Sequence, residues 1–209
     1  MDNVSTAVKI LVVEDHHATL DGLTLGLGRE PGFEIVGTSQ NSDEGLALAR
    51  QLQPDLIVLD LHLPGSKGPR SMIKEYCQIA GARLVIFSGE NRVAFVQSVL
   101  SLGVAAYLLK SERVGTVAET IRKVLKGERG IVSSELSVDY KKITRSEHEV
   151  LSMLGRGLKY QDIAEARDTS VATARKQCET LLLKLGLETR EQLIAWAVRN
   201  GYGSIELDG

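Results

Sequence analysis

Between residues 8 and 127, short apolar runs rich in β-branched residues alternate with segments whose apolar residues recur at helical spacing. Leu20, Leu23 and Leu27, for example, fall on one face of a predicted helix. The predicted strands are residues 9–13, 33–36, 56–59, 84–87 and 106–109. Most are apolar nearly throughout, as expected for parallel strands covered on both faces. The pattern predicts an α/β domain with a doubly wound, five-stranded parallel sheet.

From residue 143 onward the pattern is helical, with no further strand-like alternation. Thr144 with Glu147, and Thr189 with Gln192, fit the capping box that opens a helix. The predicted helices are residues 145–155, 159–166, 171–184 and 190–200. The apolar residues predicted to face inward on the third are Val171, Ala174, Cys178, Leu181 and Leu185. We therefore predict an α/β domain over residues 8–130, a linker over 131–142 and an all-α domain of four helices over 143–203.

Composition and charge restrict the class of protein. The chain has 209 residues, 43% of them hydrophobic and 25% charged, which is typical of a globular protein. Its apolar runs are far shorter than the roughly 20 residues that span a bilayer, and no signal peptide is apparent, so we expect a cytoplasmic protein. A net charge of −2 gives no basic excess. Any role in DNA binding must therefore be argued from pattern.

Polar residues follow the predicted strands at their carboxyl ends, where ligands bind in open parallel sheets. They are Glu14 and Asp15 after the first strand, Asp60 after the third, Ser88 after the fourth and Lys110 after the fifth. Three converging carboxylates repel one another unless a cation neutralises them, and Mg²⁺ prefers such oxygen ligands. Asp60 is then the candidate nucleophile for a phosphoryl group, which Lys110 and Ser88 would bind.

This set of residues resembles the receiver domain of bacterial two-component response regulators, which has a flavodoxin-like fold. The matching motifs are Glu14-Asp15, the stretch from Asp60 to Gly65, Ser88, and the stretch from Tyr107 to Lys110. The resemblance implies that Asp60 is the phosphoacceptor, that Lys110 binds phosphate, and that Ser88 and Tyr107 move together on phosphorylation. It also implies that Glu14, Asp15, Asp60 and the backbone carbonyl of His62 hold Mg²⁺. The side chains of His16, His17 and His62 are interpreted as rim residues.

Residues 143–200 resemble the LuxR-type helix-turn-helix domain of the NarL/FixJ class of response regulators. The matching positions are Thr144, Glu147, Glu149-Val150-Leu151, Gly157-Leu158, Ile163-Ala164, Ser170, Thr173, Lys184-Leu185-Gly186 and Arg190. In such motifs the second helix enters the major groove of DNA. The resemblance implies that Arg175, Lys176 and Glu179 face the groove. It implies phosphate contacts for Ser170, Thr173 and Lys184.

Five positions depart from the helix-turn-helix pattern or fit DNA poorly: Arg167, Thr169, Ala174, Gln177 and Glu179. The family usually has an apolar pair at 167 and 169, so either Arg167 extends outward or the turn is rearranged. Glu179 would be repelled by DNA phosphates. These departures keep open a second reading, in which the helical domain binds a protein instead of DNA.

The expected function is that of a transcription regulator controlled by phosphorylation. A histidine kinase would transfer a phosphoryl group to Asp60, and the phosphorylated chain would form a homodimer and bind double-stranded DNA. The alternatives are a phosphorylation-independent regulator and a phosphorylation-switched adaptor with a degenerate helix-turn-helix. An aspartate-nucleophile phosphatase is disfavoured because such enzymes commonly have an acid two residues after the nucleophile, where this chain has His62. No enzyme activity beyond self-phosphorylation and self-dephosphorylation is expected.

Overall fold

The structure is a computed structural model in which residues 7–65, 67–136 and 143–203 are described. These residues form two compact units. One comprises residues 7–90 and 98–133, and the other comprises residues 91–97, 134–136 and 143–203. Within the described ranges, no helix is both long and apolar enough to cross a membrane.

The first unit is built on a parallel sheet. Its strands are β1 (Val8–Val13), β2 (Phe33–Ser39), β3 (Leu56–Leu59), β4 (Arg83–Ser88), β5 (Ala106–Leu109) and β6 (Ile131–Val132). They are arranged in the order β2-β1-β3-β4-β5-β6, and every neighbouring pair is parallel. The chain adds β2 on one side of β1 and then β3 on the other side. A ligand-binding crevice is expected at such a change of side, here at the carboxyl ends of β1 and β3.

Helices cover both faces of this sheet. They are α1 (His17–Gly28), α2 (Ser42–Leu52), α3 (Pro69–Tyr76) and α5 (Val114–Leu125). The residues of α4 (Val93–Leu100) are divided between the two units. Leu23 and Leu27 of α1 pack with Val117 and Ile121 of α5 against one face. On the other face α2 passes so close to Val13 that only a glycine fits at position 45. Strands β3 and β5 are buried along their whole length, which explains their continuous apolar sequence.

The second unit contains the helices α6 (Arg145–Gly155), α7 (Tyr160–Ala166), α8 (Val171–Leu185) and α9 (Arg190–Arg199). Both predicted capping boxes are present, Thr144 with Glu147 at α6 and Thr189 with Gln192 at α9. The shared core consists of side chains from all four helices: Val150, Leu151, Leu154, Ile163, Ala164, Ala174, Cys178, Leu181, Leu193 and Ala197. The four helices begin and end within one residue of the predicted bounds.

The doubly wound sheet is confirmed, but two details of the sequence prediction were wrong. Ile131 and Val132, assigned to the linker, form the edge strand β6, so the sheet has six strands and not five. Val171, which the helical spacing placed on the inner side of α8, is 41% exposed. Residues 137–142 of the predicted linker lie outside the described residues.

Candidate functional site

The candidate phosphoacceptor site lies where the sheet ends at its carboxyl edge. Hydrogen bonding between strands continues one residue past each strand, because the backbone N–H of Glu14 donates to Ser39 O and that of Asp60 donates to Val13 O, both at 2.9 Å. Lys110 N–H donates likewise to Ser88 O at 2.9 Å. The sheet therefore fixes the backbones of the three residues. Glu14 and Asp60 are each only 1% exposed.

Lys110 connects the two buried carboxylates. Its Nζ donates to Glu14 Oε1 at 2.8 Å and to Asp60 Oδ2 at 2.9 Å. Burial by itself lowers the pKa of Lys110, but its hydrogen bonds to both carboxylates outweigh that effect, and the pKa is raised. The ammonium group therefore stays charged and provides a fixed positive charge beside Asp60.

The two carboxylate oxygens of Asp60 have different surroundings. Oδ1 accepts a 2.6 Å hydrogen bond from the N–H of Leu61, whereas among the described residues Oδ2 accepts only from Lys110 Nζ. A side-chain ammonium can move to another oxygen by bond rotation, whereas the backbone N–H of the next residue cannot. Oδ2 is thus the better placed of the two oxygens to bond to phosphorus.

The arrangement fits a divalent cation. Ligand atoms of Glu14, Asp15, His16 and Asp60 all lie within 4.8 Å of one another. Within the described part of the chain, Glu14 Oε2 and Asp15 Oδ1 are buried without a hydrogen-bond partner, which is costly unless another group satisfies them. Hard carboxylate oxygens suit Mg²⁺, which would supply positive charge to a phosphoryl group here. The carbonyl of His62, in an exposed loop after β3, remains a predicted ligand.

His16, interpreted from the sequence as a rim residue, is exposed beside the acidic pair. Its ring nitrogen Nδ1 lies 3.1 Å from Glu14 Oε1 and 2.8 Å from Asp15 Oδ1. Its position directly after the acidic pair is the sequence signal for this contact. His17 behaves as predicted for a rim residue, because it is exposed and contacts Gln40 Nε2 through Nδ1 at 2.8 Å.

Ser88 and Tyr107, the predicted switch residues, lie on the neighbouring strands β4 and β5. Both are fully buried. Ser88 Oγ accepts from the N–H of Glu90 at 3.3 Å, and the Tyr107 hydroxyl donates to the carbonyl of the same residue at 2.8 Å. The two side chains thus both hydrogen-bond to Glu90 in the loop after β4, and their joint movement on phosphorylation stays a prediction.

A second candidate surface is the outward face of α8. The residues predicted to contact DNA that are exposed there are Ser170, Thr173, Arg175, Lys176 and Glu179. Ser170 also caps the helix, because its Oγ accepts from the N–H of Thr173 at 3.0 Å. Two groups on this face are therefore cationic and one is anionic.

Lys184 does not share this exposure. Its Nζ donates to both carboxylate oxygens of Glu147, at 2.9 and 2.7 Å, and its side chain is only 28% exposed. Burial raises the pKa of Glu147, but hydrogen bonds from Lys184 and Thr144 outweigh that effect and hold the pKa below its usual value. The pair links α6 to α8, so a phosphate contact by Lys184 would compete with this link.

The departure at Arg167 is accommodated without disturbing the helix-turn-helix core. Its guanidinium donates to Glu149 Oε2 at 2.5 Å and to Ser146 Oγ at 2.7 Å. The side chain is 14% exposed, so it lies against α6 and does not extend into solvent. Ala164 and Ala174, on the two helices that flank the turn, remain buried. The turn itself uses Asp168 in the left-handed conformation, with φ 48°.

Comparison with known proteins finds a matching domain family and similar regulators. The model of the response regulator receiver domain family matches residues 10–122. The transcriptional regulatory protein LiaR of Bacillus subtilis is 26% identical over 207 residues, covering 92% of this chain and 98% of LiaR. The nitrate/nitrite response regulator NarL of Escherichia coli K12 is 27% identical over 201 residues, covering 90% of this chain and 93% of NarL.

The likeness extends to solved structures. RcsB of Salmonella typhimurium superposes on this chain with a TM-score of 0.62 at 21% identity, covering 93% of this chain and 99% of the RcsB chain. This shows that the two folds are alike. Because the family model spans more than half of the residues and includes Glu14, Asp60 and Lys110, the chain belongs to the response regulator receiver domain family.

Proposed function

We propose that this protein is a two-component response regulator that accepts a phosphoryl group on Asp60 and thereby controls DNA binding by its helical unit. The observation that carries the proposal is the buried contact between Lys110 and Asp60 beside an unsatisfied oxygen of Glu14. A buried aspartate between a fixed cation and free carboxylate oxygens is suited to forming an acyl phosphate.

In the proposed reaction, Asp60 Oδ2 attacks the phosphorus of a phosphohistidine in a kinase. The P–N bond breaks, its electron pair stays on the histidine nitrogen, and that nitrogen takes up a proton. Lys110 moves from the carboxylate to the new phosphoryl oxygens, and the Ser88 hydroxyl donates to one of them. The bound Mg²⁺ would neutralise charge on the phosphoryl group. On this proposal the protein catalyses only its own phosphorylation and dephosphorylation.

The output is proposed to be DNA binding by α8 in a homodimer of the phosphorylated chain. The exposed Arg175 and Lys176 support this, because arginine and lysine pair with guanine edges and phosphates in the major groove. LiaR is a transcriptional regulatory protein, and RcsB has been solved in complex with DNA. Access to DNA and to a kinase domain places such a regulator in the cytoplasm.

The phosphorylation step is tested by intact mass after incubation with Mg²⁺ and a small acyl phosphate. The wild-type chain is expected to gain one phosphoryl group and to elute as a dimer. Asp60→Asn is expected to do neither while keeping the same circular dichroism spectrum. Uptake of phosphate by the variant would refute Asp60 as the acceptor.

The DNA-binding step is tested separately, by selecting duplexes from a random library with the phosphorylated protein. Binding of the selected duplex is then followed against salt concentration. Arg175→Ala with Lys176→Ala should weaken binding and lower the salt slope by roughly one for each lost phosphate contact. Arg156→Ala, at an exposed arginine away from α8, is the matched control. If no duplex is enriched, the result contradicts DNA binding by the helical unit and favours the alternative hypothesis of a protein-binding module.

A further inference from the structure

Tyr160 connects the candidate DNA-contacting face of α8 to the rest of the helical unit. We propose that Tyr160 is a positioning residue for DNA recognition, because its ring holds the Arg175 guanidinium in the conformation that reads a base. The inference rests on the proposed function in assuming that α8 binds DNA. It gives base specificity a determinant on α7, outside the face of α8 that contacts the groove.

The first argument is the geometry around the ring. Tyr160 is the first residue of α7 and is partly buried. The guanidinium carbon Cζ of Arg175 lies over its ring at 5.6 Å from the centroid, and that of Arg190 lies over it at 5.1 Å. Both distances are within the roughly 6 Å at which a cation is attracted to an aromatic face. The ring therefore contacts one arginine of α8 and one of α9.

The second argument is that the ring is held in place independently of Arg175. Arg190 Nη2 donates to the carbonyl oxygen of Leu158, just before α7, at 2.8 Å. Arg190 Nε is buried without a hydrogen-bond partner among the described residues, and the attraction to the Tyr160 ring offsets part of that cost. Tyr160 also packs against the apolar core of the helical unit. These contacts fix the ring, so it can orient a side chain that is otherwise mobile.

The third argument is what the contact leaves available. Arg175 is exposed, and among the described residues its guanidinium has no hydrogen bond or ion pair. An aromatic face attracts a guanidinium without occupying its N–H donors as a carboxylate does. Arg167, by contrast, gives its donors to Glu149 and Ser146. The ring of Tyr160 thus restricts Arg175 and leaves it able to pair with the edge of a guanine.

The fourth argument is energetic. Burial raises the pKa of Tyr160, and the charges of Arg190 and Arg175 oppose this effect without outweighing it. The phenol therefore stays uncharged at neutral pH and does not repel DNA phosphates. Immobilising a free arginine side chain on binding commonly costs about two- to tenfold in affinity. Because Tyr160 already restricts Arg175, we expect loss of the ring to add this cost to DNA binding.

The test is a double-mutant cycle on the full, phosphorylated chain. Its probes are the duplex selected from the random library and a series of duplexes that each change one base pair. Tyr160→Leu should weaken binding of the selected duplex by about two- to tenfold and should reduce discrimination at the same base pair as Arg175→Ala. In the Arg175→Ala background, Tyr160→Leu should not change discrimination further. Tyr160→Phe keeps the aromatic face and should bind as the wild type does.

Gln161→Leu is the matched control, because it places a leucine at the next residue of α7, which is also exposed. Its effect should be additive with that of Arg175→Ala. Additive effects of Tyr160→Leu and Arg175→Ala would overturn the proposal. So would equally weak binding by Tyr160→Phe and Tyr160→Leu, because the hydroxyl would then be the group that matters. Tighter binding by Tyr160→Leu would overturn it as well, because the ring would then hold Arg175 away from the groove.

A nuclear magnetic resonance measurement covers the case in which Tyr160→Leu does not fold. The ring current of Tyr160 should shift the δ protons of Arg175 upfield in the wild-type chain, both free and bound to the duplex. Absence of this shift in either state would overturn the proposal. If the wild-type chain binds no duplex, the proposed DNA binding fails and this inference fails with it. If the wild type binds a duplex and Tyr160→Leu binds it equally well, only this inference fails.

Discussion

His148 gives the second unit a stability that depends on pH. It lies on α6 with only 9% of its surface exposed, and its ring nitrogen Nδ1 is hydrogen-bonded to the Tyr202 hydroxyl. Burial lowers the pKa of His148 from 6.5 to about 4, and the nearby carboxylate of Glu147 offsets only part of this effect. The neutral imidazole is therefore the form present in the folded unit at neutral pH.

The sign and size of the effect follow from the two pKa values. Between about pH 6.5 and pH 4 the unfolded chain binds a proton that the folded unit does not, so the free energy of unfolding falls as the pH falls. Going from about pH 7.5 to pH 5 should cost about 2 kcal/mol. Glu147 contributes little to the change in stability between pH 7.5 and 5. Its pKa is lowered in the folded unit, so the stability that its ionised form provides is lost only as the pH falls below about 4.5.

The assay is urea unfolding followed by the fluorescence of Trp196, the single tryptophan of the chain. Its ring stacks 6.0 Å from that of Tyr202, so the signal reports on the second unit. The wild type should lose stability steadily between pH 7.5 and 5, a window set by the two pKa values and accurate to about one unit. His148→Gln, which cannot titrate, should be less stable at pH 7.5 and nearly flat across the window. An equal slope in both chains would refute the reasoning.

Two further predictions concern packing and charge. Gly45→Ala places a methyl group against the Tyr76 hydroxyl and should destabilise the first unit by about 1–3 kcal/mol, whereas Gly22→Ala, in open space on α1, should be neutral or stabilising by up to about 1 kcal/mol. Thermal unfolding compares the two, and equal effects would contradict the packing argument. A double-mutant cycle of Glu147→Gln and Lys184→Met should give a coupling of about 1 kcal/mol by tryptophan fluorescence. Additive effects would mean that this ion pair contributes nothing.

The elements that could be predicted from the sequence are those determined by local pattern. Strand β3 was placed to the residue because a strand buried on both faces must be apolar throughout. The starts of α6 and α9 were placed because Thr144 and Thr189 carry the capping signal within four residues of chain. The acidic site could be predicted because parallel strands deliver the residues after them to one edge.

The features that were missed depend on contacts between distant parts of the chain. Strand β6 has two residues and no period of its own, and it exists only by pairing with β5. The partner of Arg167 lies 18 residues away on another helix, at Glu149.

Strand β6 determines where the first unit can be cut from the rest of the chain. The Ser133 hydroxyl just after it accepts a 2.8 Å hydrogen bond from the buried N–H of Leu109, and the Ser133 N–H donates to Tyr107 O at 3.1 Å. A fragment ended at residue 130 would leave these β5 groups unsatisfied and open to pairing with another chain. An isolated receiver fragment should therefore extend past residue 133, or it will tend to self-associate through β5 for reasons unrelated to phosphorylation.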